Sequence, residues 1–263
     1  MEVYKMKDII NDLIAEQVTV DELVNKLTEE QWHMDIPVEM WNIKDAILHI
    51  AFFDYAANKL MTGGADELLA ISPESGEDKY VRATAFHHLT GAEALSWWRE
   101  ERTRMTSTFY SKNPKDRIPW APGLPMSAKS LVSARLMELW AHSVDIYDAL
   151  GIEPVVEDRI ASTLFLSWQA RPNAYRINNF EMPETPMYLE LTLPSGKIWT
   201  KGDPTADNYI KGTAKEWALV SIRRRNWMDT DLEVIGEEAR RYASIVQTYA
   251  GWADEAPEAK RQR

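Results

Sequence analysis

The chain contains no cysteine. That excludes disulfides, thiolate zinc sites and a thiol nucleophile borne by the protein, so any sulfur chemistry has to arrive with a ligand. Basic residues are in the minority. The 30 Lys and Arg against 41 Asp and Glu give a formal charge of −11, which removes the long-range attraction behind most nucleic-acid and anionic-lipid binding. No apolar run approaches the roughly 20 residues of a membrane span, and the start "MEVYKMKDIINDLIAEQ" has the spacing of an amphipathic helix rather than of a signal peptide. Internal repeats and low-complexity tracts are also missing. These absences lead us to expect a cytoplasmic protein with neither a nucleic-acid nor a membrane partner.

What is present points to a globular fold. A length of 263 residues suffices for one large or two modest domains, each burying its own core without metal or disulfide staples. Tryptophan is abundant, at 11 residues, and supplies large aromatic surfaces for cores or for the walls of a pocket.

The first 150 residues alternate helical patterns with Pro- and Gly-punctuated loops. "MKDIINDLIAEQVTVDELVNKL" predicts one or two helices. "NIKDAILHIAFFDYAANKLMTG" predicts another, with Asn42 and Asp45 suited to its N-cap and first turn and Gly63 and Gly64 as its stop. A third helix reads in "AEALSWWREERTRMTSTFYS". The following "NPKDRIPWAPGLPMS" carries four prolines and reads as a stiff loop over 113–125, of no evident role. Ser127 opens a fourth helix that Gly151 ends. Four such helices predict a four-helix bundle. Beyond it, "MYLELTL" and "KIWTKG" flank a Pro-Ser-Gly turn and predict a β-hairpin, with helical stretches near 157–171, 213–223 and 235–250. The expected fold class is therefore α+β: a helix bundle over 1–153, then a smaller α+β domain over 154–263.

Chemistry concentrates in the fourth helix. "ARLMELWAHSVDIYDALG" sets Glu138, His142 and Asp145 among large apolar residues. Residues four apart lie one turn apart on a helix face, about 6 Å along the axis, close enough to reach one metal ion. From Leu136 to Ala141 the helix is apolar on nearly every side, which predicts that Glu138 is buried and needs a partner. In the second helix, His49 shares a face with Ala46, Ile50 and Phe53 and should point inward. Two histidines and one carboxylate from two helices make a three-ligand set that leaves a coordination position open. On spacing alone, a hydrogen-bonded Glu138–His142 pair fits equally well, and His49 taken by itself reads better as a satisfied core histidine. Asp145 reads as a group behind a ligand histidine or as a helix charge.

The pattern from Trp41 through Asp45 to His49 in "WNIKDAILHIAFFD", followed by Glu138, His142 and Asp145, resembles the DinB-like metal-binding bundle of the mycothiol-dependent maleylpyruvate isomerase family. "MYLELTLPSGKIWTKGD" and "IKGTAKEWALVSIRRRNWMDTDLEVIGEEA" are similar to the second domain of one uncharacterised branch, so the resemblance spans nearly the whole chain. It implies a divalent metal, usually zinc, held by His49, Glu138 and His142. It also implies a low-molecular-weight thiol such as mycothiol, activated by the metal to attack an electrophilic small-molecule substrate. Addition, bond rotation and elimination would give isomerisation, and addition alone would give thiol transfer. Catalytic roles would fall to Asp145, orienting a ligand histidine, and to Arg224, pairing with substrate. The alternatives are a metal-dependent hydrolase or lyase using water, and a non-catalytic ligand- or metal-binding protein.

Overall fold

Helix formation in the N-terminal part follows its capping residues closely. A computed structural model describes residues 5–66, 68, 86–121 and 124–261, and the chain divides into two units, Met1–Pro154 and Val155–Arg263. In the first, α1 (Met6–Val24), the short α2 (Glu29–Trp32), α3 (Ile43–Thr62), α4 (Gly91–Tyr110) and α5 (Ala128–Leu150) are joined by a two-stranded ribbon of β1 (Arg117–Ala121) and β2 (Leu124–Ser127). At the start of α3, Asn42 Oδ1 accepts the Asp45 N–H and Asp45 Oδ2 accepts the Asn42 N–H, both at 3.0 Å, closing a reciprocal cap. Gly63, at φ +86°, ends the helix in the left-handed region that a side chain would resist. Ser127 Oγ caps α5 and Gly151, at φ +66°, stops it.

The apolar faces of α1, α3, α4 and α5 meet in one core, with α3 packed on α4 and α5, and α1 on α5. Ile43, Ala46, Leu48, Ala51, Trp98, Phe109, Leu131 and Val132 lose all their solvent contact there. Burying one large aliphatic or aromatic side chain contributes about 1.5–3 kcal/mol. Gly91, at the first position of α4, lies against Trp32 so closely that a Cβ would sit 2.2 Å from its ring.

The proline-rich stretch is a β-ribbon and not the irregular loop its composition suggests. β1 and β2 pair antiparallel in the register Arg117↔Ser127 and Ile118↔Met126, with an irregularity before Ala121↔Leu124. Proline lacks an N–H and is tolerated where a strand has a free edge, and in a ribbon of two strands both outer edges are free.

The second unit holds α6 (Ala161–Gln169), α7 (Arg171–Ile177), β3 (Tyr188–Thr192), β4 (Ile198–Gly202), β5 (Tyr209–Thr213), α8 (Ala214–Ser221), β6 (Glu233–Ile235) and α9 (Glu237–Ile245). The hairpin read in the sequence is β3–β4. It belongs to a four-stranded sheet of order β4-β3-β5-β6, with β5 parallel to β3 and β6 antiparallel to β5. Leu189, Leu191 and Ile210 of the sheet and Trp217 of α8 are fully buried. The helical stretch expected over 157–171 is a 3₁₀ turn followed by α6, and Pro172 then opens α7 as a separate helix. Among the described residues, no helix is long and apolar enough to cross a membrane. The fold is α+β, a helical bundle followed by a smaller mixed unit.

Candidate metal centre

Two elements build the site. α3 carries His49 one turn beyond Asp45, and α5 carries Glu138, His142 and Asp145 on successive turns. His49, Glu138 and His142 each turn one ligand atom toward the others, all within 4.8 Å. A tetrahedral zinc ion with bonds of about 2.1 Å separates its donors by about 3.4 Å, so small side-chain rotations bring this set to coordinating distance. Donor chemistry fits as well, since two neutral imidazoles and one carboxylate leave a divalent ion with a net charge of about +1 for an anionic fourth ligand.

The two nitrogens of His142 have different surroundings. Nε2 lies 3.8 Å from Glu138 Oε2, while Nδ1 lies 3.1 Å from Asp145 Oδ2. Asp145 is fully buried, and its carboxylate accepts the Nδ1–H, a tautomer that leaves the Nε2 lone pair facing Glu138 and His49. Asp145 therefore lies behind the His142 ring and is not a solvated helix charge.

Glu138 departs from expectation. Its side chain retains 27% of its exposure, although its neighbours Leu136, Met137, Leu139 and Trp140 are buried. The helix is apolar around it, but Glu138 and His49 are both only partly buried, so two of the three side chains keep some exposure.

Aromatic rings border the donors. Trp41 stacks on His142, with centroids 5.7 Å apart and planes at 23°, and meets His49 at 4.9 Å. The two histidine rings meet edge-on at 4.8 Å, and Phe53 lies 4.7 Å from His49. One turn before Glu138, Arg135 donates from Nε to Asp54 Oδ1 at 3.0 Å, and Trp98 Nε1 donates to Asp54 Oδ2 at 3.2 Å, tying α5, α3 and α4 together. Burial pushes the Asp54 carboxyl upward, and Arg135 pulls against that rise. The sequence reading began its apolar stretch at Leu136 and passed over this pair. Its signal was a charged residue set in each of two apolar runs, "SARLM" and "AFFDYAA".

The structure thus gathers His49, Glu138, His142 and Asp145. Arg224 lies in the second unit, part-buried just past α8, where its Nη1 donates to the Ile222 carbonyl at 3.0 Å. Its neighbour Arg223 is the more constrained residue, at φ +63°, with Nη1 donating to Ser244 O at 2.8 Å and Nε to Asp254 O at 2.9 Å, which ties down the C-terminal segment. His87 and His88 occupy a turn, and His87 Nε2 sits 2.8 Å from Asp45 Oδ1 at the head of α3.

Helices that converge two histidines and a carboxylate, followed in sequence by a small α+β unit, define the class of this protein as a helical bundle with a C-terminal α+β unit. Residues 13–147 match the family described as the mycothiol maleylpyruvate isomerase N-terminal domain, and the chain belongs to that family. Uncharacterized proteins of Mycobacterium tuberculosis strains CDC 1551 and H37Rv are each 33% identical to it over 247 residues, 92% of this chain and 95% of theirs. The fold is that of crystal structures of the mycothiol-dependent maleylpyruvate isomerase (TM-score 0.59, 13% identity) and of a histidine-to-alanine mutant of it (TM-score 0.57, 12% identity). Each covers 84% of this chain and 90% of its own.

Proposed function

We propose that this protein is a metal-dependent enzyme of small-molecule metabolism in which a low-molecular-weight thiol attacks an electrophilic substrate, giving isomerisation or thiol transfer. The observation that carries the reading is the convergence of His49, Glu138 and His142 with Asp145 buried behind one of them. These three residues would hold a divalent ion, zinc by donor chemistry, which when bound stabilises the anion of a thiol or water near neutral pH. Mycothiol is the thiol that the family name suggests.

The chain's own residues do the rest. Asp145 accepts the Nδ1 proton of His142 and holds that ring in the tautomer that presents Nε2. Trp41 fixes both imidazoles from one side, so neither ring has to be ordered when ligand arrives. The partial exposure of His49 and Glu138 leaves a route for a thiol and its acceptor. A chain without cysteine has to obtain its sulfur nucleophile this way.

Metal analysis of protein purified without a histidine tag tests the first step. About one equivalent is expected in wild type and a loss of most of it in His142→Ala. Substoichiometric metal in wild type, or unchanged content in the variant, overturns the ligand set. The thiol step is tested by titrating small thiols into a cobalt-substituted sample, whose visible spectrum should change and which by staying constant would remove the thiol from the reaction.

A further inference from the structure

The proline-rich ribbon supplies no metal donor, yet it delivers a tryptophan to the edge of the donor set. Ile118 of β1 is buried in the bundle core, and Trp120, past the irregularity in the ribbon, is partly buried and packed against that same core. Its ring lies 5.9 Å from Phe53, and Phe53 lies 4.7 Å from His49. His49, Glu138, Phe53 and Trp120 are all partly buried, while Ile50 and Phe52 beside them on α3 are closed off. Two donors and two aromatic faces thus remain accessible in one continuous run of contacts.

Pro119 fixes the backbone next to Trp120, and the Arg117 guanidinium reaches across to the Pro125 carbonyl at 2.5 Å. A ring held in place beforehand costs little ordering entropy when a ligand stacks on it. Arg135 lies 5.9 Å from the Phe53 ring, and it is engaged by Asp54.

The geometry points to an aromatic subsite: Phe53 and Trp120 receive a planar, apolar group, aryl or conjugated, joined to the part of the ligand that reaches the donor set. The inference rests on the metal reading above and names the substrate class as electrophiles bearing such a group, in preference to small aliphatic ones.

Benzohydroxamate and acetohydroxamate share one metal-binding group and differ by phenyl against methyl. Titrated into the cobalt-substituted protein, the phenyl compound should bind about tenfold more tightly, as ring contacts of this kind would give. In Phe53→Leu and Trp120→Leu that ratio should fall at least about threefold, and in Trp120→Phe only slightly. Unchanged acetohydroxamate affinity in the variants shows the donor set intact. Equal affinities in wild type, or a ratio that survives both leucine substitutions, overturns the subsite. If neither compound alters the cobalt spectrum, it is the metal reading that falls. The subsite is then decided by the indole N–H resonance of Trp120, assigned from its loss in Trp120→Leu. A shift with benzamide and not with acetamide supports the subsite, and no shift with either overturns it.

Discussion

His142 and Asp145 meet across one turn of α5, with Nδ1 3.1 Å from Oδ2, and Asp145 is wholly shielded from water. A buried carboxylate needs hydrogen-bond donors, and the imidazole N–H is one that Asp145 faces. The pair therefore sets both the tautomer and the ring angle of a proposed metal ligand. Asp145→Asn keeps the volume and removes the charge. Zinc affinity, measured by competition with a chromophoric chelator, should weaken by about 10–100-fold. An unchanged affinity would detach Asp145 from the metal.

Arg135 and Asp54 pose a different question, because a buried ion pair stabilises little relative to apolar groups of the same shape. Their side chains are 2% and 3% exposed. Arg135→Met alone strips Asp54 of the cation that opposes its burial and should cost about 3–5 kcal/mol in urea unfolding, whereas Asp54→Leu combined with Arg135→Met should recover most of that loss. Failure of the double variant to recover would show that Trp98, which also donates to Asp54, is the costlier partner to strand.

Asp21 on α1 gives a pH dependence of known sign. The hydrogen bond from Arg99, helped by the charge of Arg102, holds its carboxyl below the ordinary aspartate range. A depressed folded-state value means that the stabilisation is complete above the unfolded value of about 3.9 and is lost as pH falls through the lower folded one. Arg99 is half-exposed, so the contribution is about 1 kcal/mol. Asp21→Asn should lower stability at neutral pH by about that amount, and urea unfolding of the two proteins should converge as pH falls through the lowered folded-state value.

Gly91 tests packing without charge. A Cβ there would meet the Trp32 ring at 2.2 to 2.5 Å, far inside van der Waals contact. Gly91→Ala should destabilise the bundle by about 1–3 kcal/mol despite its better helix propensity, read as a drop in Tm. A stabilised variant would mean that Trp32 can swing away.

Local order was legible where one residue decides it. Asn42, Ser127, Gly63 and Gly151 mark helix ends because capping is satisfied within four residues of chain. The β3–β4 hairpin was legible for the same reason, its turn lying between its strands. β5 and β6 were not, since a parallel partner such as β5 is chosen by a contact about twenty residues away that leaves no local pattern. The ribbon was misjudged because proline content excludes central strands and says nothing of free edges.

At the site, the residue types and the spacing along α5 were set in the sequence: a carboxylate, an imidazole and a second carboxylate on one helical stripe. Helical periodicity brings them to one face without help from the rest of the fold. The sequence alone could not say that His49, 89 positions before Glu138, comes within reach of it, that Glu138 keeps some exposure while Asp145 does not, or that Trp41 and Phe53 border the same histidine with Trp120 against Phe53. Those are outcomes of packing α3 against α5, which depends on the summed fit of many side chains and is written in no single one of them.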